Sequence, residues 1–262
     1  MSRARGITLV ELLTVVGVVG TLLAIAFPMV SAFRSMGRAS SCQSNLRQMG
    51  LAAASYATQN KDRYPAAILY DMTDAGVATR AWDFEQLPDG TVRAGALWSF
   101  MNGPDEVQQC PDFLGPSTFG NDPFTGYNYN TTFIGAEGRF PELDAQGDWV
   151  GGWKLAREGL RSGQFRATTT TALFGEGGWK GGANKFMRAP GNSVENDLWT
   201  VYAGAQAFRH HECTHVCYLD GHVDGVSTCH EGAHATEPLL QGVMDFPNNG
   251  FLADGDRPYD PR

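Results

Sequence analysis

Basic charge is in short supply. The 262 residues hold 20 lysines and arginines against 28 aspartates and glutamates, a formal net charge of −8. Phosphate recognition needs a basic face, so nucleic acid is excluded as a main partner. The chain also has no G-x-S-x-G elbow, phosphate loop, H-E-x-x-H helix or kinase signature, and it reads as a non-enzyme. No C-x-x-C pair occurs, so the standard zinc-finger spacings are excluded. Internal repeats and low-complexity linkers are absent, which leaves residues 61–262 as one domain. Proline is missing between Pro28 and Pro65. Long apolar runs are almost missing too, with a single exception.

That exception runs from Leu12 to Phe33, where every side chain is apolar or small until Arg34 closes it. About 20 residues at 1.5 Å each cover roughly 30 Å of hydrocarbon. Arg3 and Arg5 precede it, which predicts a cytoplasmic N-terminus with the remainder exported. Three simple explanations compete: a cleaved secretory signal, an uncleaved anchor and a buried helix. The first lacks a good Ala-x-Ala site after the run, and the third does not fit its length. The second leaves Glu11, a charge at the entrance of the run, unexplained. Pro28 alone reads as a helix end just outside the membrane.

The stretch "RGITLVE" with its following helix resembles the class III signal of type IV pilins and type II secretion pseudopilins. The resemblance implies a leader "MSRARG" (1–6), cut between Gly6 and Ile7 by a prepilin peptidase that then methylates the Ile7 amine. Ile7 stands where Phe or Met is more usual. Glu11 falls five places after the cut. It reads as an unpaired carboxylate costing on the order of 2–3 kcal/mol in the membrane. The resemblance implies that its partner is the Ile7 amine of a neighbouring copy, which aligns subunits in a filament. Pro28 matches the helix-bending proline of pilins and predicts a bend or local melting.

Beyond the membrane, Cys42, Leu46, Met49, Ala53 and Tyr56 recur at helical spacing. They predict one helix over residues 7–60, roughly 80 Å long, its first half (12–33) in the membrane and its second half under a globular domain. "GALWSFMN" (95–102) reads as a short helix, and "GYNYNTTFIG" (126–135) and "ATTTTALFGE" (167–176) as strands. The Gly-rich, polar residues 177–198 read as a surface loop. Asp220-Gly221 between two alternating runs predicts a hairpin with a two-residue turn. The fold class is therefore α+β: a long N-terminal helix packed on an antiparallel sheet with long loops.

His210 followed by nine residues and then Asp220-Gly221 resembles the H-x9-DG motif of a large group of pilin-like proteins. "CQSNLRQMG" and "CPD" (110–112) resemble the same group. A rival reading takes His210, His211, Cys213, His215, Cys217, His222, Cys229, His230 and His234 as a zinc-ligating stretch. Calcium in the acidic loops "DGHVDG" and "ADGDRPYD" is another option, though the EF-hand spacing is absent. Five cysteines leave one over if the rest pair, and Cys42 with Cys110 is the candidate disulfide.

The expectation is a type IV pilus-like filament subunit. Its partners are copies of itself, the prepilin peptidase, the inner-membrane pilus or secretion machinery and the membrane. It sits in the inner membrane before assembly, single-pass with its N-terminus cytoplasmic, and in a surface or periplasmic filament afterwards. The alternatives are a type II secretion pseudopilin and a membrane-anchored metal- or ligand-binding domain that never polymerises.

Overall fold

The computed structural model describes residues 6, 8–101, 110–113, 115, 126–136, 158–180, 182–191 and 202–262. Ile7 and residues 1–5 of the expected leader lie outside the described residues. Contacts divide the chain into two units, Met1–Ser40 and Ser41–Arg262.

Helix α1 spans Leu9–Gln59. In the first unit its apolar side chains are exposed, Val10 at 67% and Phe27 at 72%. The polar side chains within 12–33 are satisfied inside the helix. Thr14 Oγ1 donates to Glu11 O (2.9 Å), Thr21 Oγ1 to Val18 O (2.8 Å) and Ser31 Oγ to Pro28 O (2.8 Å). An apolar solvent offers no competing partner, so such back-bonding suits a helix placed in one. The helix does not melt at Pro28. It remains helical on both sides, losing at most the one bond that the missing N–H would have made.

In the second unit the stripe expected on α1 is the buried one. Cys42, Leu46, Met49 and Ala53 are all at 0% exposure and pack with Trp82, Tyr129, Phe174 and Cys217. Tyr56 is half-buried against the same cluster and meets Phe100 edge-on at 5.8 Å. Gly50 lets the helix approach the sheet: a Cβ there would lie 2.6 Å from Cys217 Sγ. Gly50→Val should therefore cost about 1–3 kcal/mol by overpacking. A melting curve of the detergent-solubilised full chain should fall by several degrees, and an unchanged curve would contradict this packing.

Beyond α1, strands β1 (Ile68–Thr73), β2 (Gly76–Ala81), β3 (Phe84–Gln86) and β4 (Val92–Ala94) form an antiparallel meander. A second sheet is seven-stranded. It runs β10 (Val223–Val226), β9 (Thr214–Tyr218), β6 (Ala172–Gly178), β5 (Tyr127–Asn130), β7 (Phe186–Met187), and β8 (Ala205–Ala207) pairs with both β6 and β11 (Asn249–Gly250). Among the described residues its ladders are antiparallel except β5 with β7. The result is an α+β fold in which the part of α1 from Cys42 to Ala57 packs against one face of the sheet. On β9, Cys217 joins the core under α1 while its neighbour Val216 joins a second core with Met187, Tyr202 and Tyr259. The two faces alternate as the strand period requires.

Two expectations need correction. Residues 177–198 are not simply a surface loop. Gly177 and Gly178 close β6, and Asn184–Pro190 is buried and carries β7. The glycines there allow strands to touch, since a Cβ on Gly178 would fall 2.7 Å from the Gln206 carbonyl carbon. The Asp-Gly hairpin is present, but its loop holds three residues, Leu219, Asp220 and Gly221. Tyr218 N donates to His222 O (2.9 Å), and only Gly221 of the three has a positive φ, +90°. Leu219, the first residue of the loop, joins the core. The three other segments are as read in kind, with different limits: a 3-10 turn at Ala96–Phe100, β5 inside 126–135, and β6, which starts later than 167 and runs past 176 to Gly178.

Candidate functional site

The start of α1 is a capping box. Thr8 Oγ1 accepts the Glu11 N–H (3.2 Å), while Glu11 Oε2 accepts both the Thr8 N–H and the Thr8 hydroxyl (2.8 Å each). The pattern Thr-x-x-Glu satisfies otherwise orphaned donors at the helix N-terminus. Glu11 is thus not wholly unpaired, as the sequence suggested: one oxygen is engaged locally. Among the described residues no cation pairs with it and Oε1 accepts nothing, so the carboxylate keeps free lone pairs and a net charge. Gly6 is exposed, with nothing within 4 Å of a Cβ built on it. The Ile7 amine lies outside the described residues.

A second concentration of polar groups is buried beneath α1. Cys42 comes from α1, Cys110 and Asp112 from a loop ahead of β5, Glu176 from β6, and His210 from the turn before β9. The turn is set by reciprocal bonds between His210 and Cys213 (3.1 Å each) and by positive φ at His211 (52°) and Glu212 (61°). Cys42 Sγ and Cys110 Sγ are 2.8 Å apart, and Cys110 Sγ is 3.8 Å from His210 Nε2. Glu176 Oε1 lies 2.9 Å from His210 Nε2 and 3.1 Å from His215 Nδ1. His210 Nδ1 approaches Asp112 Oδ2 to 2.8 Å, an ion-pair contact that is not aligned as a hydrogen bond.

The electrostatics follow from this packing. Burial alone would lower the His210 pKa, but the bond from Cys110 and the bond and charge of Glu176 outweigh it and push it up to about 10. Burial would raise the Glu176 carboxyl, yet His210 and His215 hold it below the usual value. The bond from Cys42, together with His210, outweighs burial and pulls Cys110 down to about 5, while the Cys42 thiol is pushed up by the same bond and by burial. Cys110 therefore carries thiolate character, the form that binds metals or attacks disulfides.

The expected His- and Cys-rich stretch does not gather into one place. His215 faces Glu176, Cys217 lies under α1, His222 contacts Asp220, and His230 contacts Asp254 (3.3 Å). His211 and His234 are exposed, and Cys213 and Cys229 half-buried. Within the H-x9-DG motif, His210 is buried in the cluster, whereas Asp220 and Gly221 form the turn at the other end of β9. In the acidic C-terminal loop, Asp256 accepts from Gly191 N (2.6 Å) and Asp260 pairs with Arg262 (2.8 Å).

Glu176 is the residue that the sequence reading missed. Its signal was present: a lone carboxylate in "ALFGEGG", where every neighbour is apolar or glycine, and a charge in a central strand is almost always paired. Asn130, which begins an Asn-Thr-Thr glycosylation sequon, is fully buried, and its Nδ2 donates to Ala172 O and Tyr259 O (2.8 Å each), so this fold does not present it to a modifying enzyme.

Comparison with known proteins finds the "Type IV major pilin protein PilA" of Myxococcus xanthus, 40% identical over 62 residues. The match covers 24% of this chain and spans 28% of that pilin's length. No family model matches the chain, and no solved structure does.

Proposed function

We propose that this chain is a subunit of a type IV pilus-like filament, held in the inner membrane by α1 before assembly and packed through α1 against copies of itself afterwards. One observation carries the reading. The first part of α1 exposes an unbroken apolar surface with a single charge, Glu11, at its start. Such a surface needs lipid or other copies around it. The partial likeness to a type IV major pilin points the same way.

In this reading Met1–Gly6 is a leader removed on the cytoplasmic face by a prepilin peptidase, and the Ile7 amine is methylated. The remainder of the chain lies outside the inner membrane, and the assembly machinery of that membrane adds it to the filament. Electron microscopy of expressing cells is the test: surface fibres that bind antibody against this chain support the proposal. Short fibres confined to the periplasm would move it to the pseudopilins, and a membrane protein with no fibre under any condition would refute it. Intact mass supplies a second check. The mature chain should lack six N-terminal residues and carry one added methyl group, while Gly6→Val should keep the leader in a strain with active peptidase.

A further inference from the structure

We infer that Cys42 Sγ, Cys110 Sγ, Glu176 Oε and His210 Nε2 are the four ligands of a structural site for a zinc-class divalent cation. The site is independent of the filament reading. These four atoms lie within 4.8 Å of one another, and all four residues are buried. Two sulfurs, one imidazole and one carboxylate are a donor set that zinc takes in tetrahedral geometry, at about 2.3 Å for sulfur and about 2.0–2.2 Å for nitrogen and oxygen. The sulfurs, now 2.8 Å apart, would open to about 3.8 Å on such a tetrahedron. The Cys42 side chain sits on the surface of α1 and the Cys110 side chain on a loop, so neither is fixed by a strand ladder.

Two features distinguish a cation site from a mere pair of neighbouring thiols. The first is the outer partners. Asp112 lies against Nδ1 of His210, the nitrogen turned away from the cluster, and His215 holds Glu176 Oε1. A carboxylate beside the outer nitrogen of a ligating histidine is the usual support of a metal ligand; here the 2.8 Å contact would have to turn into hydrogen-bond alignment as the histidine takes up the cation. The second is Glu176 Oε2, which has no hydrogen-bond partner although the residue is fully buried. Oxidation of the two thiols to a disulfide would account for the sulfurs alone and leave that oxygen orphaned. A cation bound through that oxygen would supply the missing partner, while Oε1 keeps its bond to His215. Binding releases the Cys42 thiol proton and the Nε2 proton of His210, and no electron changes hands.

The site would join α1, the loop before β5, strand β6 and the turn before β9. Four separate segments supply it, so no short spacing motif announces it. It also gives the histidine of the H-x9-DG motif a role that the hairpin turn does not need.

The experiment uses the full chain in detergent, purified with a non-thiol reductant and no chelator, loaded with zinc and dialysed. Elemental analysis should find about one zinc per chain, and cobalt(II) in its place should give the visible spectrum of a tetrahedral thiolate site. Cys110→Ser should abolish that spectrum. Because this variant is in the core and its fold is at risk, Asp112→Asn is the second arm. Its side chain is partly exposed (16%), and it should stay folded by circular dichroism while binding zinc about 10–100-fold more weakly. Three results would each overturn the inference: no zinc retained while both thiols alkylate freely, a Cys42–Cys110 disulfide in a non-reducing peptide map of chain taken from its native compartment, or unchanged zinc affinity in folded Asp112→Asn.

Discussion

Glu11→Val should abolish filaments while leaving membrane insertion intact, and Glu11→Gln should do the same. The second substitution is the more informative. Glu11 has a local task, closing the capping box with Thr8, and glutamine can perform it because its amide oxygen accepts the same two bonds. Valine loses both the Thr8 bonds to the residue-11 side chain and the charge, although the Thr8 hydroxyl still accepts the residue-11 N–H. Glutamine loses only the charge. If a neighbouring amine is the partner, a pair at about 4 Å in an effective dielectric of about 20 contributes roughly 4 kcal/mol. That corresponds to about three orders of magnitude in the association constant of each subunit contact. Blots of membrane fractions report insertion, and electron microscopy reports fibres. Filaments from Glu11→Gln but not from Glu11→Val would assign the residue to helix capping and remove the counter-ion argument.

Local periodicity made α1 readable. Its apolar run and proline-free continuation mark one long helix, the stripe from Cys42 to Ala53 obeys the 3.6-residue repeat, and that stripe is buried together with Asn45, Gly50, Ala52 and Ala57 beside it. The hairpin was readable for the same reason, except that Leu219 joins the core and lengthens the loop by a residue. What escaped depends on partners far away in sequence. "GGWKGGANKFMRAP" is polar and glycine-rich, so it resembles a loop. It is buried because glycines let β6, β7 and β8 touch and because Lys185 finds Asp83, 102 residues away. The polar cluster escaped likewise: its four residues come from four segments, and only the odd placement of Glu176 hinted at it.

The Lys185–Asp83 pair gives the second large effect. Lys185 Nζ lies 2.7 Å from Asp83 Oδ2, with both side chains at 3% exposure or less, and the ammonium sits over the Phe84 ring, 4.2 Å from its centroid. Removing Asp83 takes the carboxylate away from a buried ammonium, and breaking a buried pair in this way costs about 3–5 kcal/mol. Asp83→Leu should therefore lower the melting temperature of the full chain by about 10 °C, at 2–4 °C per kcal/mol for a unit of this size. The pH dependence has a fixed sign. Burial already holds the Lys185 pKa below the usual lysine value despite the pull of Asp83. Without Asp83 it falls further, so the unfolded chain binds the extra proton and stability rises with pH up to the unfolded value near 10.4. The deficit of Asp83→Leu should shrink between neutral pH and about pH 10. Adding Lys185→Met removes the buried ammonium and should recover most of the loss, since a well-packed apolar pair often matches a buried ion pair. A double variant as unstable as the single one would mean that this segment is held by something other than the pair.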